Sequence, residues 1–166
     1  MNIENINRLI GVLEKVDPKK FNMADWIIAK QDDDGNECGT AGCICGWAAM
    51  IEYPEIKGEW EAMAEHLENE AKKLGRESYW GTYTSFGMRW FDIDEITACA
   101  LFQPDRDLVC EKLWNDGHME SAFYYKNVTP AMAVDILSIL RDTGTIEHTD
   151  WADVYVKHGG VLRTTP

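Results

Sequence analysis

Apolar residues recur at helical spacing in one segment after another, and each segment is closed by a proline or a glycine. Ile3, Ile6, Leu9, Ile10, Leu13 and Val16 form the first such stripe, stopped at Asp17-Pro18 because the residue before proline avoids helical geometry. A buried helix from about Thr40 to Ile51 ends at Tyr53-Pro54, and a long surface helix from Gly58 to Leu74 ends at Gly75. The latter places Trp60, Met63, Leu67, Ala71 and Leu74 on one face. Its glutamates come early and Lys72, Lys73 and Arg76 late, the order that complements a helix dipole, so its charges read as a solvated face.

The same punctuation continues downstream. Asp92 or Asp94 caps a helix with Ile96, Ala100 and Leu101, stopped by Pro104, and Asp105 opens another that runs toward Gly117. Thr129-Pro130 opens a helix carrying Ala133, Ile136, Leu137 and Leu140, which ends at Thr143-Gly144. Three segments have a pattern that fits more than one element. Phe21 to Ile28 fits one or two helical turns or a strand, and the tail from Ile146 to Leu162 fits a strand or a short helix. Tyr79 to Phe91, rich in aromatic residues with Gly81, Gly87 and several β-formers, reads as a hairpin or an aromatic loop. The expectation is a mainly α chain of about six helices with one small β element, forming a single domain over residues 1–166; the length of 166 residues and 45% hydrophobic content suit one core.

Charge and cysteine usage exclude several function classes. A formal charge of −13 opposes sequence-independent phosphate binding, so direct nucleic-acid binding is not expected. The same excess suits a basic protein partner, or simply keeps the chain soluble. No basic segment followed by a long apolar stretch opens the sequence, and no run of roughly 18 apolar residues occurs, so neither a leader nor a membrane span is expected. The five cysteines are an odd number and lack the density of a secreted disulfide scaffold. Reduced thiols in the cytoplasm are the matching expectation.

Cys38-Gly39-Thr40-Ala41-Gly42-Cys43-Ile44-Cys45-Gly46-Trp47 concentrates three cysteines and three glycines at an expected helix start. As packing, Gly42 and Gly46 lie four apart on one helix face and let a neighbour approach closely. As catalysis, Cys38 or Cys43 at the helix N-terminus is a candidate nucleophile, with His148 or His158, or else His66 or His118, as base. Asp32, Asp33, Asp34 and Glu37 beside Cys38 oppose a thiolate there. As a metal site, Cys38, Cys43 and Cys45 lack the paired C-x2-C spacing of zinc knuckles, and Asp32 and Asp34 mimic calcium-loop positions whose end ligands fail at Lys30 and Ala41. No cofactor is expected. Packing is the favoured reading.

A small-molecule reading remains beside these. Free amides at Gly39, Thr40 and Gly42, with Trp80, Tyr83 and Trp90 as stacking faces, could capture a nucleotide-like ligand. Against it, most of the seven tryptophans are needed to fill a core.

The pattern Phe21-x-Met23-x-x-Trp26 followed by Cys38-Gly39-Thr40-x-x-Cys43-x-x-Gly46-x-Ala48 resembles a group of small uncharacterised proteins from bacterial and bacteriophage genomes. Ala100-Leu101-Phe102-x-Pro104, Thr129-Pro130-x-x-Ala133 and Thr143-Gly144 before Trp151 match its downstream half, while the region from Glu59 to Phe91 does not. The resemblance implies a phage or mobile-element accessory protein: an acidic interaction module that inhibits or modulates a basic host protein, with Trp80 or Trp90 as exposed anchors. Ligand capture and a cysteine-dependent hydrolase are the alternatives.

Overall fold

The computed structural model describes residues 1–21, 23, 27–28, 41–56, 60–75, 79–102 and 128–160. Among them are seven α-helices: α1 (Ile3–Leu13), α2 (Ile44–Glu52), α3 (Trp60–Lys73), α4 (Tyr79–Phe91), α5 (Glu95–Phe102), α6 (Pro130–Thr143) and α7 (His148–Lys157). The chain is mainly α. A two-residue antiparallel ladder joins Ile27–Ile28 to Ala41–Gly42, with Ile27 opposite Gly42 and Ile28 opposite Ala41. None of the described helices is long and apolar enough to cross a membrane.

Four of the helices, α1, α5, α6 and α7, start where a side chain can satisfy their first amides. Asn2 accepts from the Asn5 N–H at 3.1 Å, Asp94 from Thr97 at 2.7 Å and Thr129 from Met132 at 3.3 Å. At α7, Glu147 and Asp150 form a reciprocal capping box. Gly144 closes α6 with φ +84°, in the left-handed region.

Packing then follows the buried stripes. Ile6, Leu9, Ile10 and Leu13 of α1 lie against α6, which turns Met132, Ala133, Ile136, Leu137 and Leu140 inward. The α3–α4, α4–α5 and α6–α7 pairs are adjacent, and α2, buried around most of its circumference, touches α1 and α4. Trp151 of α7 is wholly buried, and its indole N–H donates to the Ala100 carbonyl at 2.9 Å, which satisfies the one polar group a buried tryptophan brings.

Three expectations are corrected. Residues 79–91 are neither hairpin nor loop but the helix α4, because Phe86, Trp90 and Phe91 gain burial on one side at helical spacing, and burial outweighs the β preference of the single residues. Gly87 marks no turn there: the Phe102 ring lies where its Cβ would be, 1.9 Å from Cε2. Secondly, α2 begins at Ile44 rather than Thr40, since Ala41–Gly42 is spent on the ladder. Gly42 and Gly46 therefore do not share a helix face. Thirdly, Val16 falls beyond α1, which stops at Leu13. The tail forms the helix α7, the second of its two expected forms. The helix expected from Asp105 to Gly117 lies outside the described residues.

Candidate functional site

The cysteine segment is described only from Ala41 onward; Asp32, Asp34, Cys38, Gly39 and Thr40 lie outside the described residues, as do Cys110 and His118. Cys43 is the extended residue preceding α2 and is 6% exposed, and Cys45 is completely buried in its first turn. Burial pushes the Cys45 thiol well above its ordinary pKa, and the neighbouring Cys43 adds to the effect. Thiolate chemistry is thus suppressed at Cys45. The free amides at the start of α2 belong to Ile44, Cys45 and Gly46, which are buried, and not to the Gly39–Gly42 stretch. No group of three or more His, Cys, Asp or Glu among the described residues is placed to hold a metal ion.

The other predicted residues are dispersed. His158 follows α7 and shares Asp135 of α6 with Lys157, at 2.6 and 2.9 Å. Burial raises the Asp135 carboxyl, but the hydrogen bonds and charges of Lys157 and His158 more than offset it, so its pKa lies below the ordinary value. This is an ion pair that ties two helices together. His148 opens α7, with its side chain outside the described set, and the same holds for Trp80 and Tyr83 on α4. Trp90 is 3% exposed and donates to Glu52 at 3.0 Å, so it is a core residue and offers no face to a ligand or partner.

What the structure does assemble is a polar cluster along the α3–α4 seam. His66, Glu70 and Lys73 follow one another at helical spacing on α3, and Thr82, Ser85, Phe86 and Arg89 do so on α4. Glu70 Oε2 accepts from the Tyr53 hydroxyl at 2.9 Å and from Arg89 Nη2 at 2.7 Å, and the same nitrogen donates to the Tyr53 oxygen at 2.7 Å. His66 packs edge-on against Tyr53, ring centroids 4.4 Å apart, with Nε2 4.0 Å from Glu70 Oε1. Arg89 also lies over the Phe86 ring, 5.7 Å from its centroid.

The electrostatics of this cluster are consistent with one another. Burial pushes the Glu70 carboxyl up, yet hydrogen bonds from Arg89 and Tyr53 and the charges of Arg89 and His66 bring it below its ordinary value. Burial likewise lowers Arg89, and its bonds to Glu70 and Tyr53 reverse that. Tyr53 is raised, first by burial and then by its bond to Glu70. Both charged partners stay ionised near neutral pH.

Beside the cluster a cleft of about 190 Å³ opens between the two helices. Leu67, Ala71, Leu74 and Phe86 give it an apolar floor, and Glu70, Lys73, Thr82, Ser85 and Arg89 give it a polar margin. Comparison with protein families, curated proteins and solved structures found no match. The function must therefore be argued from the chain itself.

Chemically, the seam holds charge and does not present an activated nucleophile. Glu70, the carboxylate in the cleft wall, is committed to Arg89 and Tyr53. Sequence reasoning did not bring Glu70, Ser85 and Arg89 together, since the α3 charges matched a solvated helix face and residues 79–91 lacked a helix on which to place Ser85 and Arg89. The available signal was the i, i+3, i+7 spacing of Thr82, Ser85 and Arg89 on an otherwise apolar helix.

Proposed function

We propose that this protein is a small acidic accessory protein, acting in the cytoplasm as a single-domain module that binds and modulates a basic host protein. The phage or mobile-element setting comes from the resemblance carried by the Cys38–Ala48 pattern. The observation that carries the reading is the charge of −13 on a chain whose Cys43 and Cys45 are buried in the core. Such a field steers a basic surface toward the chain and rejects nucleic acid.

One corner of the surface combines charge with apolar area. The start of α1 is fastened to the end of α4, where the Asn2 N–H donates to the Phe91 carbonyl at 2.7 Å and the Asn5 amide to that of Trp90 at 2.8 Å. Ile3 is exposed on α1, and Ile96, 80% exposed, lies just past the α4–α5 turn. Glu4 and Glu95 are exposed at the same corner, where Asp92 holds the Met1 ammonium at 2.9 Å. An isolated exposed isoleucine is ordinary, but a hydrophobic side chain within an acidic surround is the composition that suits a basic, partly apolar partner.

The test is retention of host proteins on immobilised wild-type protein beside a Glu95→Lys, Ile96→Ser variant of equal thermal stability. A basic protein held at low salt, released by about 0.5 M salt and lost on the variant is the expected result. Retention that ignores salt, or that the variant keeps in full, refutes the reading.

A further inference from the structure

We propose that the α3–α4 cleft binds a compact monocarboxylate, of about the size of benzoate, with its carboxylate between Lys73, Arg89 and Ser85 and its apolar body on Leu67, Ala71, Leu74 and Phe86. The inference needs no protein partner and stands apart from the function proposed above.

Ser85 is the starting point. Its residue is 8% exposed and lines the cleft, while its hydroxyl is buried with no hydrogen-bond partner among the described residues. A serine inside a helix ordinarily returns its hydroxyl to a carbonyl one turn back, as Ser138 does to Val134 at 2.8 Å. Ser85 does not, so a donor without a partner lies beneath the cleft wall, a costly arrangement unless something completes it.

The charges specify what completes it. Glu70 and Tyr53 both engage Nη2 of Arg89, which leaves Nη1 and Nε without a partner among the described residues. Lys73 has no ion pair among the described residues. With Glu70 balancing Arg89, the cleft margin has one positive charge left over. That surplus matches a single negative charge; a dianion would sit beside the Glu70 carboxylate with half of its charge unmatched. Hydroxyl, guanidinium and ammonium are all donors, and a planar carboxylate accepts from such groups.

Size and floor set the rest of the ligand. A cavity of about 150 Å³ lined by aliphatic and aromatic side chains is enough for benzene, so about 190 Å³ accommodates one ring with its carboxylate. Drug-sized and nucleotide-sized ligands use pockets of about 300–1,000 Å³, larger than this cleft.

The experiment titrates benzoate into the full chain and follows amide and methyl resonances, with benzamide and inorganic phosphate as comparison ligands. A ligand of about nine non-hydrogen atoms is expected to bind with Kd near 1 mM. The expected result is a saturable shift concentrated on Lys73, Thr82, Ser85 and Arg89, at least about fivefold weaker for benzamide and absent for phosphate. Lys73→Met, at an exposed position that leaves folding intact, is expected to weaken benzoate about three- to tenfold. The proposal is overturned by the lack of a saturable shift up to about 20 mM benzoate, by benzamide or phosphate binding as well as benzoate, or by an unchanged Kd in Lys73→Met.

Discussion

Gly87→Ala opposes two physical effects of known size, and the structure decides which prevails. Gly87 lies inside α4, where alanine alone adds about 1 kcal/mol of helix stability over glycine. A Cβ built there falls 1.9 Å from Phe102 Cε2 and 2.5 Å from Cζ, against an ordinary carbon–carbon contact of about 3.5–4.0 Å. The ring must therefore retreat by about 1.5–2 Å. Phe102 has little room for that, being 8% exposed and packed against Phe91 with centroids 5.8 Å apart. Overpacking of this kind costs about 1–3 kcal/mol, and the displacement puts Gly87 in the upper half of that range. After the propensity gain, the net loss is about 1–2 kcal/mol, or about 2–8 °C in Tm for a chain of this length. Urea unfolding followed by tryptophan fluorescence and by far-ultraviolet dichroism measures it. A double-mutant cycle with Phe102→Leu then isolates the cause, because the smaller side chain relieves the clash and makes Gly87→Ala close to neutral. A Gly87→Ala protein about 1 kcal/mol more stable than wild type would refute the close approach of α5 to α4 altogether.

Glu70→Gln tests the seam network: the folded Glu70 carboxyl titrates below its ordinary pKa of 4.5, so the unfolded chain binds more protons, and the contribution is whole above that value and lost as pH falls through the lower folded pKa. The variant is expected to lose about 1 kcal/mol at pH 7, discounted for partial exposure, and to show a shallower acid-unfolding limb than wild type; equal limbs would remove Glu70 from the network. Gly144→Ala is expected to cost about 1 kcal/mol through backbone geometry alone, since φ is +84° and no atom lies within 4 Å of the new Cβ; a neutral thermal melt counts against the left-handed cap. For Cys45, thiol labelling mapped by mass spectrometry should show modification only at the rate of global unfolding, and labelling as fast as in the denatured chain contradicts its burial.

The parts of the fold legible in the sequence were those set by local chemistry. Thr129-Pro130 and Gly144 bracket α6, Asp94 caps α5, and the apolar stripe of α1 faces inward, because caps and periodicity act over a few residues and are written in them. Residues 79–91 were illegible for a matching reason. Their threonines, glycines and aromatics favour turns and strands one by one, whereas the helix is stabilised by contacts to α3 and α5 that no local pattern contains. The candidate site inherits this. Ser85, Arg89 and Glu70 meet only once α4 is a helix lying against α3, and Tyr53 joins them from the end of α2. The cysteine and glycine segment, the most conspicuous stretch of the sequence, contributes in its described part to a core and to a two-residue ladder.

Helix dipoles alone would account for both cations of the cleft, since Lys73 and Arg89 each occupy a last turn, where positive charge is stabilised. They do not account for the Ser85 hydroxyl, and Ser85→Ala therefore separates a structural seam from a ligand site. Removing a buried hydroxyl that has no partner lifts its desolvation cost, so the variant is expected to be more stable than wild type by about 1 kcal/mol whichever view holds. The two views part on binding. A purely structural seam gives that stability gain with no change in any ligand response, whereas a carboxylate site gives the same gain together with about a fivefold weaker benzoate Kd, because the hydroxyl is one of the donors the anion uses. Stability forgone for the sake of a binding group is the familiar signature of functional residues. A Ser85→Ala protein that is less stable than wild type would instead mean that the hydroxyl already has a partner, and the premise of the site would fall with it.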